Sequence, residues 1–420
     1  MAQTLAEKII ARAAGVGSVS PGEIVTCQVD LAMMHDSSGP RMAGKKLDEL
    51  GVPVWNLDKL VVITDHYIND DNPGHQDIQK HAHAWIAEHD IKHFINEQGI
   101  CHIVLPEGGH VKPGMFIVGG DSHSVTGGAF GTIMVGIGAT ELTGVLATGE
   151  IWVRVPETVK IDVTGTLKPG VAAKDVILKL CGDHGIMGFN YQALEYAGTA
   201  VTAMSVEERM TLCNMAAELG AKAGYCEPDG KTETVLKKWG ATGIEVDPWQ
   251  SDADAAYART VTVDGDALSP YVAAPSSPEN AAPVEEHAGT KLDQAYLGAC
   301  TGAKLDDLRM AAQVLKGRKI QSGFKFMVSP SSLSMQAEAK ADGTLQIIED
   351  AGGVILPMGC SGCIGIGPSR LEENAVGISS TNRNFVGRAG PKSSKLFLAS
   401  PYTVAASAIK GSISDPREFL

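Results

Sequence analysis

A Gly- and Pro-rich segment that carries two closely spaced cysteines, 357-PMGCSGCIGIGPSR-370, constrains this chain more than any other stretch. Its glycines and prolines disfavour a helix or a regular strand, so Cys360 and Cys363 are expected in a loop. A Cys-x-x-Cys pair in a loop can direct both sulfur atoms towards one centre. Such a pair suits disulfide redox chemistry, a zinc site or an iron–sulfur cluster.

A third cysteine, Cys300, lies in a similar setting, 297-LGACTGAK-304, after an apolar stretch and before a helical one. A structural zinc site usually takes four protein ligands, and the sequence has no second Cys-x-x-Cys motif to complete one. Three thiolates from two loops would leave one iron of a cubane cluster open as a Lewis acid. Spacing alone does not distinguish this centre from three unrelated buried thiols.

The composition argues against several other classes of protein. Thirty-five Lys and Arg residues against 49 Asp and Glu residues give a net charge of −14, which disfavours general binding to nucleic acid or to an anionic membrane. Eight cysteines spread over 420 residues do not resemble a secreted disulfide framework. No apolar run is long enough for a transmembrane helix, and the first segment lacks a signal-peptide core. We therefore expect a cytoplasmic protein.

Buried strands followed by polar residues indicate an α/β fold. The segment 60-LVVITDHYIND-70 predicts a strand followed by Asp65 and His66. The segment 115-MFIVGGDSHSVTGGAFGT-132 predicts a strand followed by an Asp-Ser-His-Ser run and a Gly-rich loop. Ligands bind at the carboxyl ends of strands in open α/β sheets, so both strand ends are candidate sites.

Three further segments have predicted elements. We expect a strand that carries a histidine in 100-ICHIVLPEGG-109 and a helix in 133-IMVGIGATELTGVLATGE-150. In 207-EERMTLCNMAAELGAKAGYCEPD-229 we expect a helix that places Asn214 and Glu218 on one face, because they are four residues apart.

The length and the changes in composition divide the chain into domains. The expected organisation is a first α/β domain at 1–156, a second at 157–268, a linker at 269–290 rich in Pro, Ala, Ser and Glu, and a third α/β domain at 291–420 that carries Cys300, Cys360 and Cys363. The third domain ends in a polar loop with Arg383 and Arg388. Arginines in such a loop suit a bidentate grip on a carboxylate.

Seven short motifs occur in the order found in the aconitase superfamily. They are Asp65-His66, His102, 120-GDSHS-124, 213-CNMAAELGA-221, 299-ACTG-302, 360-CSGC-363 and 381-TNRNFVGR-388. From about residue 4 to about residue 410 the chain resembles the large subunit of the isopropylmalate isomerase type.

The resemblance implies a fold and a cofactor. The fold would be three α/β/α domains packed around a central iron–sulfur site, without the swivelling domain of single-chain aconitases. Cys300, Cys360 and Cys363 would hold a 4Fe–4S cluster, and its fourth iron would bind the hydroxyl and a carboxylate of a small hydroxy acid. The reaction of the family removes water from such an acid and re-adds it in the other sense.

The resemblance also implies roles for individual side chains. The implied His–carboxylate pairs are His66 with Asp65, His102 with Asp121, and His123 with Glu218. A carboxylate beside an imidazole raises the pKa of the imidazole, and His66 would protonate the leaving hydroxyl. The positions that match substrate-binding residues are Ser122, Asn214, Asn382, Arg383 and Arg388.

The resemblance implies a partner as well. In single-chain aconitases the swivelling domain supplies the catalytic serine base and an arginine that grips the substrate. We expect a separate small subunit to carry these groups, which would make the protein a heteromer. The expected substrate is a branched alkyl-malate such as 3-isopropylmalate, in leucine biosynthesis, with homoaconitate and 2,3-dimethylmalate as alternatives. Departures from the family pattern, such as Gly302, Ala303 and Lys304 after the first cysteine motif, leave the substrate open.

Two functions from other classes remain for comparison. An iron-sensing RNA-binding regulator would use the same cluster, but the net charge of −14 and the lack of a basic stripe argue against it. A zinc or thiol-redox protein would use Cys360 and Cys363, but it would leave Cys300 and the polar strand ends unexplained.

Overall fold

A computed structural model describes residues 2–68 and 70–420, so Met1 and Asn69, which fall within the predicted first domain, lie outside the described residues. The chain divides into two compact units, and neither is continuous in sequence. The first unit comprises Met1–Asp162, Phe189–Ala197 and Gly220–Val261, and the second comprises Val163–Gly188, Gly198–Leu219 and Thr262–Leu420. These divisions differ from the predicted boundaries at 156, 268 and 290.

Helices and strands alternate through most of the described chain. The α-helices are α1 Leu5–Ala14, α2 Lys45–Leu50, α3 Pro73–Glu88, α4 Cys101–Glu107, α5 Ala139–Thr148, α6 Ala173–His184, α7 Thr199–Ala203, α8 Val206–Asn214, α9 Gly230–Lys238, α10 Leu305–Leu315, α11 Leu333–Ala341, α12 Thr344–Ala351 and α13 Pro401–Lys410. Among the described residues, every helix is too short or too polar to span a lipid bilayer.

The strands are mostly short and apolar. They are β1 Ile24–Gln28, β2 Leu31–His35, β3 Leu60–Thr64, β4 His93–Asn96, β5 Phe116–Gly119, β6 Ile133–Gly136, β7 Glu150–Arg154, β8 Thr158–Thr164, β9 Ala193–Ala197, β10 Ala223–Cys226, β11 Arg259–Asp264, β12 Tyr271–Ala273, β13 Ala281–Pro283, β14 Gln294–Leu297, β15 Lys325–Val328, β16 Val354–Ile355, β17 Val376–Ser379 and β18 Lys395–Ala399.

Short helical turns connect several of these elements. The 3₁₀ turns are Leu57–Lys59, Ser122–Phe130, Met215–Leu219, Pro278–Asn280, Val284–Glu286, Ser361–Ile364 and Pro416–Phe419, and a π-helical turn covers Gly39–Gly44.

A five-stranded parallel sheet forms the centre of the first unit. Its order is β4-β3-β2-β5-β6. All five residues of β3 are buried, as expected for an apolar strand covered on both faces of a parallel sheet. The chain runs outward from β2 through β3 to β4 and then returns to β5 on the other side of β2. This reversal creates a crevice at the carboxyl ends of β2 and β5, where α/β proteins bind ligands.

A seven-stranded sheet forms the centre of the second unit. Its order is β13-β12-β18-β17-β14-β15-β16, and the strands from β14 to β18 are parallel. Here the strand order reverses between β17 and β14. Both strands therefore end at a second such crevice.

The segment 269–290, where we expected a linker, is folded. It contains β12 and β13, and β12 pairs antiparallel with both β13 and β18. Val272 and Ala273 in β12 are fully buried. Proline- and alanine-rich composition therefore does not make this part of the chain an extended connection, because its backbone completes the edge of a sheet.

Two smaller sheets complete the described strands. Strands β1 and β7 form an antiparallel pair, and the other sheet has the order β10-β9-β8-β11. The 3₁₀ turn at Ser122–Phe130 packs closely against β10, because a Cβ atom at Gly128 would lie 1.8 Å from the carbonyl oxygen of Gly224. Glycine is therefore required at this crossing.

The expected strand at 100–109 is wrong, since α4 covers Cys101–Glu107. The run is buried on all sides, so it has no hydrophobic period that separates a strand from a buried helix. The carboxylate of Asp65 accepts a hydrogen bond from the Cys101 N–H at 2.7 Å. A carboxylate at this end satisfies a free donor and favours the helix.

Two predicted helices are shorter than expected. The segment 133–150 begins with strand β6, and α5 starts only at Ala139. Helix α8 ends at Asn214, where a 3₁₀ turn takes over, and strand β10 follows at Ala223. Over such short distances, alternating apolar residues and glycines fit the period of a helix as well as that of a strand. The sequence therefore does not determine where these helices begin and end.

Candidate functional site

Two carboxylates hold one imidazole at the carboxyl end of β3. The Nδ1 atom of His66 lies 2.6 Å from Oδ1 of Asp65 and 3.2 Å from Oδ1 of Asp36. Burial disfavours the charged ring, but the two carboxylates raise the pKa of His66 well above its ordinary value. Burial also acts against ionisation of Asp65, but the His66 charge lowers the pKa of that carboxyl. The arrangement therefore favours a protonated imidazole between ionised carboxylates.

A second imidazole stacks on this ring. His35, the last residue of β2, has its ring centroid 4.3 Å from that of His66. Its Nδ1 accepts the N–H of Ser37 at 3.2 Å, and its Nε2 lies 3.2 Å from the carbonyl oxygen of Gly120. These partners require the neutral tautomer with the proton on Nε2. Burial and the nearby His66 charge lower the pKa of His35, so the stacked pair has one neutral and one charged ring.

The orientation of His66 determines which of its nitrogens can serve a ligand. Its ring hydrogen bonds within the described residues are on Nδ1, and the side chain is 10% exposed. Nε2 is therefore the nitrogen that can carry a proton to a bound molecule.

A third carboxylate, that of Asp121, lies close to two histidines. His102, on α4, has its Nε2 atom 2.9 Å from Oδ1 of Asp121, which follows β5. Oδ1 of Asp121 accepts the backbone N–H of His123 at 2.7 Å, and the ring Nδ1 of His123 lies 3.5 Å away. Burial acts against ionisation, but both histidines lower the pKa of Asp121 well below its usual range. Nδ1 of His102 is buried without a hydrogen-bond partner among the described residues. Ser122 is exposed beside this group.

The second unit places one thiol at the end of β14. Cys300 is buried, and Ala299 before it has a φ of +67°, a left-handed conformation that is uncommon for alanine. The Nδ2 group of Asn214 donates to Cys300 Sγ at 3.1 Å, and that of Asn382 lies 3.6 Å from the same sulfur. These amide donors favour a negatively charged sulfur.

The Cys-x-x-Cys loop forms a single short turn at Ser361–Ile364. The backbone N–H of Cys363 donates to the carbonyl of Cys360 at 2.9 Å. Sγ of Cys363 lies 3.3 Å from Oδ1 of Asn382 and 3.7 Å from Nη2 of Arg388. Because Asn382 contacts the sulfurs of both Cys363 and Cys300, it links the two cysteine loops.

The donor set fits an iron–sulfur cluster. All eight cysteines are free thiols, and amide or guanidinium groups lie close to two of the three predicted ligands. The turn at Ser361–Ile364 also packs tightly against its neighbours, which include β14. A Cβ atom at Gly362 would be 2.3 Å from Oγ of Ser369 and 2.6 Å from Cζ of Tyr296 in β14. Soft thiolates with hydrogen-bond donors on sulfur are the ligands that such clusters use.

Arg383 makes a partly buried ion pair with Glu218. Its Nε lies 2.7 Å from Oε1 of Glu218, and the side chains are 23% and 1% exposed, respectively. The carboxylate fixes one edge of the guanidinium plane. The Nη groups of Arg383 can then meet a carboxylate of a ligand.

Some predicted relations join residues of different units. His123 belongs to the first unit and Glu218 to the second, so their pairing stays a prediction. That the imidazoles of the first unit face the thiols of the second also stays a prediction. The His66–Asp65 and His102–Asp121 pairs lie within the first unit, as expected.

Sequence reasoning missed several residues of these clusters. His35 ends β2 and Asp36 follows it, much as Asp65 and His66 follow β3, so the rule of polar strand ends would have found them. Lys174 had no such signal, because it lies at the start of a helix far from the cysteines in sequence.

Comparisons with known proteins identify the family of this chain. The model of the family described as "Aconitase family (aconitate hydratase)" matches residues 7–291 and 285–411. The "3-isopropylmalate dehydratase large subunit 1" of Methanopyrus kandleri is 44% identical over an alignment of 423 residues that covers 100% of both chains. The "Probable methanogen homoaconitase large subunit" of Methanothermobacter thermautotrophicus is 41% identical and covers 99% of this chain and 97% of its own.

A solved structure also resembles this fold. The crystal structure of Thermococcus kodakaraensis aconitase X in its holo-form matches with a TM-score of 0.52 at 16% identity, over 86% of this chain and 84% of that chain. At this identity the likeness concerns the fold alone. The family match and the full-length relatives together establish that this chain belongs to the aconitase family.

Proposed function

We propose that this chain is the large subunit of a hydro-lyase that dehydrates a branched alkyl-malate, such as 3-isopropylmalate, and rehydrates it in the other sense. The observation that carries the proposal is the position of Asn382 between the sulfurs of Cys300 and Cys363. The side chain of Asn382 thus contacts two thiols that belong to separate loops. Full-length relatives named as dehydratase large subunits support the choice of reaction.

Cys300, Cys360 and Cys363 would hold a 4Fe–4S cluster. When bound, the cluster supplies an iron without a protein ligand, a Lewis acid for the hydroxyl and a carboxylate of the substrate. Asn214 and Asn382 would keep the sulfur of Cys300 anionic through their amide groups.

His66 would deliver the proton that the departing hydroxyl needs. The carboxylates of Asp65 and Asp36 keep its ring charged and fix Nδ1, so the acidic proton is on Nε2. Loss of hydroxide from carbon is difficult at neutral pH without such a donor. His102 and His123, which share the Asp121 carboxylate, would orient further polar groups of the substrate.

Arg383 and Arg388 would bind the carboxylates of the substrate. Glu218 fixes the guanidinium of Arg383 through Nε, and Arg388 already approaches Sγ of Cys363. A planar guanidinium that is oriented in advance loses less entropy when it forms paired hydrogen bonds with a carboxylate. Ser122, exposed after β5, would donate a further hydrogen bond.

A small subunit would complete the site with a base and a further arginine. The relatives are named as large subunits, which supports a second chain as partner. We infer that the complex, and not this chain by itself, has the full activity.

The test is an assay of the complex with its small subunit after anaerobic reconstitution with iron and sulfide. The panel is 3-isopropylmalate and 2,3-dimethylmalate, which would lose water, and homoaconitate, which would gain it, and ultraviolet absorbance follows the formation or loss of the carbon–carbon double bond. The expected result is a kcat/KM for 3-isopropylmalate at least about tenfold above the others, since one added or missing alkyl carbon is worth about 1–3 kcal/mol. A cluster-loaded complex that leaves all three acids unchanged would overturn the proposal.

A homoaconitase activity is the second candidate, because a relative 41% identical over nearly the whole chain has that name. It differs from the first in the side chain of the substrate and not in the chemistry. The same panel separates the two, because homoaconitate carries a third carboxylate in place of the branched alkyl group.

A further inference from the structure

A buried lysine of the second unit joins the loop that follows Cys300 to the loop that precedes Asn382. Lys174, in the first turn of α6, is 1% exposed. Its Nζ donates to Oγ1 of Thr301 at 3.3 Å, to the carbonyl of Ser380 at 3.0 Å and to the carbonyl of Thr381 at 2.6 Å. The three donors of the ammonium thus have three acceptors from the two loops.

The charge of Lys174 has no direct partner. Its hydrogen-bond acceptors within the described residues are a hydroxyl and two carbonyls, and it forms no ion pair there. Burial lowers the pKa of Lys174 to about 8, and the nearby Glu218 and Cys300 act in the opposite direction. An unpaired buried charge is costly, so this ammonium is expected to have an anion nearby in the working protein.

Lys304 is a second buried lysine of the second unit and, unlike Lys174, it has a carboxylate partner. Nζ of Lys304 lies 2.6 Å from Oδ2 of Asp307 and also contacts Oγ1 of Thr211 and the carbonyl of Cys300. Asp307 neutralises that ammonium. Unlike Lys304, Lys174 has no carboxylate within hydrogen-bond distance among the described residues.

We propose that Lys174 is the buried counter-charge of the iron–sulfur cluster and the positioning residue that holds its two flanking loops together. This inference rests on the proposed function, because it takes the cluster on Cys300, Cys360 and Cys363 as the anion. Lys174 does not touch the substrate in this role. It acts through Thr301, next to a cluster ligand, and through Ser380 and Thr381, next to Asn382.

The charge has a measurable consequence for the cluster. A positive group near an iron–sulfur cluster stabilises the form with one more electron, so it raises the reduction potential. Replacement of Lys174 by an uncharged residue should therefore move the midpoint potential to a more negative value. A purely structural role would change the unfolding temperature but leave the potential of the loaded cluster unmoved.

The experiment compares the wild-type complex with Lys174→Met and Lys174→Gln after anaerobic reconstitution. A redox titration followed by visible absorption and electron paramagnetic resonance gives the midpoint potential, and iron analysis gives the cluster content. Lys174→Gln retains a hydrogen-bond donor without the charge, so it keeps the proposal testable if Lys174→Met does not fold. Lys179→Met is the control, since Lys179 lies on the same helix, is 29% exposed and pairs with Asp183.

The expected result is a negative shift of the potential in a folded Lys174 variant and no shift in Lys179→Met. The same potential in wild type and in the folded Lys174 variants would overturn the inference while leaving the cluster assignment intact. A wild-type complex that takes up iron without the visible absorption of a 4Fe–4S cluster would instead overturn the proposed function. The two failures are thus distinguishable.

Discussion

The carboxylate of Asp36 is a second partner of the His66 imidazole, and its removal tests how the proton donor is prepared. We expect Asp36→Asn to lower the pKa of His66, because an amide does not stabilise the charged ring. In the dehydration direction the alkaline limb of kcat/KM against pH should therefore move to lower pH. Nuclear magnetic resonance of the His66 ring gives the same shift without turnover.

A matched control exists for this variant. Asp70 also pairs with an imidazole, with its Oδ2 atom 2.7 Å from Nδ1 of His75. Asp70→Asn should leave the alkaline limb in place. An unchanged limb in Asp36→Asn would contradict the role given to Asp36.

The raised pKa of His66 also determines how the stability of the folded protein depends on pH. The folded state raises the pKa of His66, so the stability gained from this group is fully present below about pH 6.5, the ordinary value for histidine, and is lost as the pH rises through the raised pKa. Asp121 behaves in the opposite way. Its pKa is lowered in the folded state, so its contribution is present above about pH 3.9 and is lost as the pH falls further.

Cys300 is the predicted cluster ligand whose replacement gives the sharpest signal. Cys300→Ser should lose most of the visible absorption after anaerobic reconstitution, since an alcohol is a poor ligand for iron in such a cluster. Cys27→Ser should keep it. Burial raises the pKa of the Cys27 thiol to about 12, which makes this residue an inert thiol of the first unit. Equal absorption in both variants would contradict the assignment of Cys300.

At the scale of elements, the sequence indicated the strands whose ends carry the site. Asp65 and His66 follow β3, and Cys300 follows β14, as the apolar runs predicted. Helix α4 was missed because a short apolar run that is buried on every side has no period. The rule of polar strand ends marks Asp36, but its contact with His66 was missed because nothing local in the sequence brings the ends of β2 and β3 together. Only the parallel pairing of the two strands does so.

The approach of the Cys300 loop to the end of β17 depends on one glycine. A Cβ atom at Gly302 would lie 2.0 Å from Oγ and 2.8 Å from the carbonyl oxygen of Ser380. We expect Gly302→Ala to destabilise the protein by about 1–3 kcal/mol, because the two loops must move apart, and to lower the cluster content. Thermal unfolding of the cluster-free chain and iron analysis after reconstitution measure the two effects.

An exposed glycine provides the control for this variant. Gly144 lies on the exposed side of α5, and a Cβ atom there would have no neighbour within 4 Å. Gly144→Ala should leave the cluster content unchanged and increase stability by up to about 1 kcal/mol, because alanine favours the helix. If Gly302→Ala behaves like Gly144→Ala, the close approach at Ser380 is not required.

At the scale of the whole molecule, we expect activity to depend on a second chain. The large subunit after reconstitution should show the absorption of the cluster but turn over at least about 100-fold more slowly than the complex, because a missing general base costs roughly 10²–10⁴ in rate. Titration with the small subunit should restore the rate and reach a plateau at a fixed ratio of the chains. Full activity of the large subunit in the absence of its partner would contradict this expectation.

The substrate belongs to the same scale, and the sequence of one chain does not determine it. Full-length relatives of similar identity have names that refer to different acids. By our proposal, the polar groups described here bind carboxylates and a hydroxyl, which the hydroxy acids of this family share. The part of the substrate that differs is apolar or carries one more carboxylate, and we expect the small subunit to contribute to its recognition.

The discontinuous first unit also affects how the chain is made. The N–H groups of Gln3 and Leu5, at the start of α1, donate to the side chains of Asp252 and Ser251, each at 2.8 Å. A ribosome that adds about 5–20 residues per second needs roughly 12–50 s between the two ends of these contacts. During that interval the start of α1 lacks both of these acceptors, so the helix can complete its contacts only after Asp252 has been added to the chain.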